Sequence, residues 1–185
     1  SDDFIISNKQ GLLPKNAQLV SAGAKRFAEP RYGYTIEYPA AWEMSKLADM
    51  TTMFSGREGT PDFEAIVTIQ NIKPKGANNP NEAGARALKQ LKQSLGKAVN
   101  QFTVVEDKVW RHPGSVKELI GRQLLIRYEH QGVIFQKRMI VMPRMYGTVV
   151  HVWSYTAPKS RYTSLRSKVD LMLKSWAILT DPEKI

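Results

Sequence analysis

The sequence predicts an α+β domain, an α-β-α sandwich with a mostly antiparallel, twisted sheet of about six strands and two main helices, at 79–99 and 160–179. Three observations predict it. Several runs alternate apolar and polar residues with the period of a strand; two long stretches carry apolar residues at helical spacing; and the later strands follow one another through junctions so short that only antiparallel neighbours can use them. At 185 residues the chain fits one domain with a single hydrophobic centre, and no internal repeat or interdomain linker divides it.

Residues 1–24 have little periodicity, and Gly11, Pro14 and Gly23 interrupt any regular element, so an extended or partly ordered lead-in is expected before a single domain at 25–185. A short strand at 25–28 ends in the Glu29-Pro30 turn. In the stretch YGYTIEYPAAW, Tyr32, Tyr34, Ile36 and Tyr38 share one face of a strand and Gly33, Thr35 and Glu37 the other; Pro39, which cannot donate to a ladder, stops it, and Trp42 is expected over the sheet edge. Further strands are expected at 50–54 and 63–73, joined by the turn-rich loop 55–61. In the second of these, Phe63, Ala65, Val67 and Ile69 make one strongly apolar face.

Asn79-Pro80-Asn81-Glu82 is a helix start: a capping side chain, proline at the first helical position, and a glutamate placed to bond back toward the cap. Gly84, Ala87, Leu88, Leu91, Leu95 and Ala98 then form one stripe, with Arg86, Lys89, Gln93 and Lys97 outside it. Four strands follow at 101–111, 119–131, 133–143 and 148–157, with Gly132 and Tyr146-Gly147 marking tight junctions of a meander. The run Met139-Ile140-Val141-Met142 is apolar on both faces, as a central strand covered on both sides would be. In the second helix, Tyr162, Leu165, Val169, Met172 and Trp176 repeat at three and four residues, while Arg161, Arg166, Lys168 and Lys174 lie outside the stripe; Pro182 follows it.

Composition limits the chemistry. There is no cysteine, which removes thiol catalysis, disulfides and thiolate metal sites, and no run approaches the length of a membrane-spanning helix. The chain begins SDDFIISNKQ without methionine, as expected of a mature or trimmed form from which an export signal or lipid-anchoring residue has been removed. The net charge is +10 and unevenly spread: residues 111–176 hold 12 Lys/Arg against 3 Asp/Glu, whereas residues 1–110 hold 14 against 12. A field of that sign attracts anionic surfaces or acidic proteins.

The phrases GYTIEYPAAW (33–42), the early helix at 79–99, the RYEHQGVIFQKR crossing (127–138) and the closing KSWAIL (174–179) resemble the PsbP-like superfamily over roughly residues 27–179. That superfamily includes the photosystem II extrinsic subunit PsbP, bacterial DcrB-type lipoproteins, a small-GTPase partner and secretion-effector chaperones. The resemblance implies the α-β-α sandwich and favours binding over catalysis. Because the chain is basic yet lacks the lysine-rich amino-terminal arm of plant PsbP, it favours an envelope protein outside the cytoplasm, with an extrinsic photosystem subunit as another reading.

No motif demands an active site. There is no GxSxG elbow, GxGxxG turn or P-loop, and His112, His130 and His151 have no metal-ligand spacing, so no catalytic residue, metal or cofactor is expected. The candidate partner-binding or anionic-surface residues are Arg122, Arg127, Lys137, Arg138, Arg161 and Arg166. Nucleic acid is disfavoured, because Arg127 and Tyr128 point to opposite faces and Tyr128, Phe135, Trp153 and Tyr155 fit a core better than a stacking platform. A protein partner is expected, with an anionic membrane surface as a further possibility. The competing class is a chaperone whose Met50, Met53, Phe54, Met139 and Met142 line an open apolar surface.

Overall fold

The structure, a computed structural model, describes residues 23–48 and 50–179; most of the expected lead-in lies outside them. The strands are β1 (Ala24–Glu29), β2 (Tyr34–Pro39), β3 (Glu43–Leu47), β4 (Thr51–Ser55), β5 (Ile66–Ile72), β6 (Phe102–Trp110), β7 (Gly121–His130), β8 (Val133–Pro143), β9 (Val150–Pro158) and β10 (Ala177–Ile178), with helices α1 (Pro80–Ala98), α2 (Lys159–Tyr162) and α3 (Arg166–Ser175). The sandwich is present, but the single sheet of about six strands is not. Seven strands form an antiparallel sheet in the order β3-β4-β5-β9-β8-β7-β6, and β1-β2-β10 form a separate sheet of three.

That division follows from burial. The tyrosine-rich strand β2 is buried on both faces, since Thr35 on its reverse side is as enclosed as Tyr34 and Ile36. It lies over the large sheet, with α3 packed against it. The expected single hydrophobic centre is likewise two. One core joins Tyr34, Ile36, Phe54, Val67, Ile140, Trp153, Tyr155 and Val169 between the sheets and α3; the other lies between the large sheet and α1, around Ala83, Ala87, Leu124, Ile126, Val141 and Val152. A continuous sheet separates them, which is why Met139 and Val141 belong to one core and Ile140 and Met142 to the other.

The helix start behaves as the sequence indicates. Asn79 accepts the Glu82 amide at 2.9 Å, and the Glu82 carboxylate reaches back to the Asn78 amide at 2.7 Å. The expected helix at 160–179 is broken. The buried Tyr155 hydroxyl donates to the Tyr162 carbonyl at 2.7 Å, occupying the acceptor that a continuous helix would offer the Arg166 amide, and Arg166 bonds Thr163 instead. The stripe Tyr162, Leu165, Val169, Met172 and Trp176 is nevertheless wholly buried. After α3 the backbone of Trp176 is extended, and β10 pairs with β2, Ala177 opposite Thr35 and Ile178 opposite Tyr34. The β7–β8 hairpin turns through Gln131 and Gly132, both with positive φ, the primed turn that suits the right-handed twist of the flanking strands.

Two glycines test this packing in opposite directions. A methyl group at Gly84, inside α1, would meet Pro143 at an ordinary 3.5 Å, whereas one at Gly121 would lie 2.9 Å from the Trp110 carbonyl oxygen and 3.1 Å from that of Val141. Gly84→Ala is expected to stabilise the fold by about 0.5–1 kcal/mol. Gly121→Ala is expected to destabilise it by about 2 kcal/mol. Urea denaturation of the two variants beside the parent measures both signs.

Candidate partner-binding surface

The six cations singled out in the sequence do not form one patch. Arg122 and Lys137 point to the α1 side of the large sheet, while Arg127 and Arg138 point to the other side, toward α3. Arg161 belongs to α2 and Arg166 to α3. Five of the six are engaged internally: Arg122 contacts Asp107; Arg127 donates to Gln136 at 2.8 Å; Arg138 donates to Gln123 at 2.7 Å and lies over the Trp110 ring; Arg161 holds Glu64 and the Pro61 carbonyl. Arg138 and Arg166 share Asp170, at 3.7 and 3.3 Å, so these two are brought together. Lys137 has no acidic partner among the described residues, and burial pushes its ammonium pKa down. Four of the six are thus held in ion pairs within the molecule, and they do not present a shared anion-binding face.

The aromatic residues weighed as base-stacking platforms are also accounted for. Trp153 and Tyr155 are buried, and Tyr128 stacks on Phe135 with ring centroids 5.7 Å apart on the sheet face opposite Arg127. The chaperone reading loses its surface: Phe54 and Met142 lie in the core under β2, and Met139 lies under α1, because each points inward from a strand covered on that side. Only Met50 and Met53 of that set reach solvent.

Among the described residues, a groove of about 500 Å³ lies between the small sheet and α3, lined chiefly by Ala24, Tyr38, Pro39, Leu171, Met172 and Lys174. Its floor is apolar because Tyr38 and Met172 turn their buried sides toward the core. Its rim is polar: Glu37 lies on one side, and Lys168 and Lys174 on the other. Leu171 stands on the rim at 67% exposure, the most exposed large apolar side chain among the described residues. Sequence reasoning missed it. The available signal was an apolar residue set off the Tyr162-to-Trp176 stripe, with cations at Lys168 and Lys174 one turn to either side. Below this region Asp62 accepts from Lys168 at 2.5 Å and from the Trp42 indole at 3.0 Å; burial pushes the Asp62 carboxyl up, but these donors outweigh it and hold the pKa below the usual range. Trp42 is thus a core residue anchored to the β4–β5 loop, rather than a cover for a sheet edge.

The interior between the two sheets holds the remaining polar chemistry. His151 donates from Nδ1 to Asn71 Oδ1 at 2.7 Å; Asn71 is oriented by its own donation to the Met50 carbonyl at 3.0 Å. His112 accepts from the Trp110 indole at 3.2 Å and donates from Nε2 to the Trp176 carbonyl at 2.5 Å. The accepted bond makes the His112 ring neutral, and complete burial keeps His151 neutral as well, in the opposite tautomer. The Trp176 ring lies between them, 4.8 Å from His112 and 6.4 Å from His151. Enclosed in this way, the imidazoles cannot reach a substrate. Among the described residues no three His, Asp or Glu side chains converge as metal ligands, and no helix is long and apolar enough to cross a membrane.

Comparison with known proteins identifies the fold. No protein-family model matches the chain, and no curated protein matches its sequence. Solved structures do. Cyanobacterial PsbP (CyanoP) from Synechocystis superposes with a TM-score of 0.60, covering 86% of this chain and 95% of that one at 12% identity. The Ran-binding protein Mog1p of Saccharomyces cerevisiae gives 0.57, with 86% and 97% covered at 9% identity. LpqN, involved in cell envelope biogenesis of Mycobacterium tuberculosis, gives 0.54, with 84% and 91% covered at 14% identity. The chain has the PsbP-like fold.

The two buried histidines make stability depend on acid. Burial pushes the His151 pKa down to about 3, with the nearby Arg144 and His112 adding to the shift; burial also lowers that of His112, against the opposing pull of the Trp176 carbonyl. The unfolded chain, with histidines near 6.5, takes up protons first. Their stabilisation is therefore complete above that pH and is lost as pH falls toward the folded values. Between pH 6.5 and 5.5, above the ordinary range of the carboxylates, unfolding free energy is expected to fall with pH by up to about 1.4 kcal/mol per pH unit for His151, with His112 contributing in the same direction. Denaturation curves across this range measure the slope, and His151→Gln should remove one proton's share of it.

Proposed function

We propose that this chain is a non-catalytic binding and assembly module of the bacterial cell envelope, working outside the cytoplasm and holding a partner protein in the groove between β1, β2 and α3. The observation that carries the reading is Leu171, an apolar side chain standing 67% exposed beside a 500 Å³ groove. Exposed apolar surface framed by polar residues marks interaction sites on otherwise soluble proteins. The partner segment that fits presents an apolar side chain to Tyr38, Pro39 and Met172, with a carboxylate near Lys174, which has no acidic partner among the described residues. The chain's net charge of +10 draws such a segment in.

Support for binding rather than catalysis comes from how the groove's polar groups are engaged: Ser175 donates to the Met172 carbonyl at 2.7 Å and accepts from the Glu37 amide at 2.9 Å, and the Glu37 carboxylate pairs with Arg26 at 3.2 Å. The envelope assignment draws on the fold shared with LpqN. A diffuse attachment to anionic lipid has less behind it, since four of the six cations first considered are already in ion pairs.

The test is cross-linking of the purified chain in envelope extract, comparing Leu171→Asp with Lys89→Glu on the exposed side of α1. A specific product that survives Lys89→Glu and is lost with Leu171→Asp supports the groove. Burying a leucine contributes about 2 kcal/mol, so affinity for the captured partner should fall about 30-fold in Leu171→Asp. Equal capture by both variants, or turnover of a substrate by the chain, overturns the reading.

A further inference from the structure

The large sheet ends at β6, and this edge is unusually open: of its nine residues every one from Thr103 to Val109 is exposed, including Val104, Val105 and Val109 at 42–49%. No other strand pairs with its outer side among the described residues. A long edge strand of this kind presents a row of backbone donors and acceptors to any extended chain of suitable sequence. The segment Val105–Val109 reads Val-Glu-Asp-Lys-Val, and that order is self-complementary. If two copies run antiparallel with Asp107 on the twofold axis, Glu106 faces Lys108 of the second copy, Lys108 faces its Glu106, and Val105 faces its Val109 at both ends.

The side-chain directions agree with this register. Glu106 and Lys108 lie on the same face of β6, opposite Leu125 and Gln123 of β7, and directly opposed residues in an antiparallel pair share a face. The one like-charge contact, Asp107 against itself, is relieved within each copy: Arg122 contacts the Asp107 carboxylate, and Lys92 lies 3.6 Å from it. Burial pushes the Asp107 carboxyl up, but these cations outweigh it and keep it ionised and compensated. Within one copy Lys108 lies 3.6 Å from Glu106, a loose exposed contact that it can exchange for the facing one. The register shift between Val104 and Glu106 makes Val105 the bulged residue, so the regular ladder is the complementary Glu106–Lys108, with Val105 closing it at each end beside Val109.

The opposite edge makes the contrast. There β3 reads Glu-Met-Ser-Lys-Leu, which about its centre sets Glu43 against Leu47 and Met44 against Lys46; Glu43 is held by Arg57, and Lys46 by Glu29. It has no self-complementary order. We infer that this protein forms a twofold dimer through antiparallel pairing of β6 with β6 of a second copy, joining the two seven-stranded sheets into one. This is independent of the groove, which lies on the other side of the molecule's layers and uses no residue of β6.

Light scattering on the eluting species, with concentration raised to about 1 mM, measures the association. The expected result is a mass that doubles from 20.9 kDa with concentration. Glu106→Lys alone and Lys108→Glu alone each place like charges opposite one another twice per dimer, and association should weaken by at least about tenfold. The double exchange, Glu106→Lys with Lys108→Glu, restores the pairing and the mass. Since the chain has no cysteine, Asp107→Cys places one thiol on the axis, where directly opposed residues lie within disulfide reach, and mild oxidation should couple two copies; Lys108→Cys, offset from its own counterpart, should not. Thermal melts of each variant confirm folding before the comparison. A mass that stays monomeric throughout, single and double exchanges that behave alike, or equal cross-linking at positions 107 and 108 overturns the inference.

Discussion

The seat of Trp176 holds the two sheets of this protein in place. Its carbonyl is bound by His112, and its ring fills the space between His112 and His151 at the end of α3. From that point the chain has no freedom to wander: the next two residues pair with β2, and the Leu179 amide donates to the Gly33 carbonyl at 2.9 Å. One residue earlier, Ser175 accepts from the Glu37 amide, so the far side of the same strand is fixed as well. The small sheet is thus pinned along β2 by side chains and backbone from the carboxyl-terminal end of the chain. The cost of this arrangement is two imidazoles kept neutral in a dry interior, acceptable near neutral pH because their ordinary pKa lies only slightly below it.

The same economy governs the cations. In sequence, the basic residues of 111–176 read as one field, but strand register separates Arg122 and Lys137 from Arg127 and Arg138, and each arginine then finds a neighbour within reach. Gln123 serves both sides of this traffic: its carbonyl oxygen takes two donations from Arg138, while its amide donates to Glu106 at 2.8 Å. Side chains of this kind brace the outer strands where the apolar cores thin out. Their positive charge is structural first: even on α3, Arg166 and Lys168 are paired with Asp170 and Asp62, which leaves Lys174 toward the groove.

Legibility varied with the kind of signal. The cap at Asn79, the paired glycine turn at Gly132 and the amphipathic stripes were readable because local chemistry decides them. The split of the last helix was not, because it depends on a hydroxyl arriving from Tyr155 in a neighbouring strand. Strand β3 escaped notice, since its residues are all exposed and carry no alternation. Two-residue β10 is too short for any periodicity. Yet the phrases GYTIEYPAAW and KSWAIL, noticed separately in the sequence, prove to be one structural unit: the second supplies the strand, serine and tryptophan that hold the first. Leu171 stayed hidden for the opposite reason, since an apolar residue off a stripe has meaning only once the groove beside it is known.

The order of the small sheet also sets how the molecule carries mechanical load. β1 and β10 both run antiparallel to β2, on its two sides, and the start of β1 lies beside Pro39 whereas the end of β10 lies beside Tyr34. Tension applied through residues 23 and 179 would draw these two strands along β2 in opposite directions. The backbone hydrogen bonds lie across that pull and would be strained together, in shear, instead of opening one after another as in an unzipping hairpin. Pulled from these points, the domain would resist as a clasp does, yielding only when the whole ladder slips.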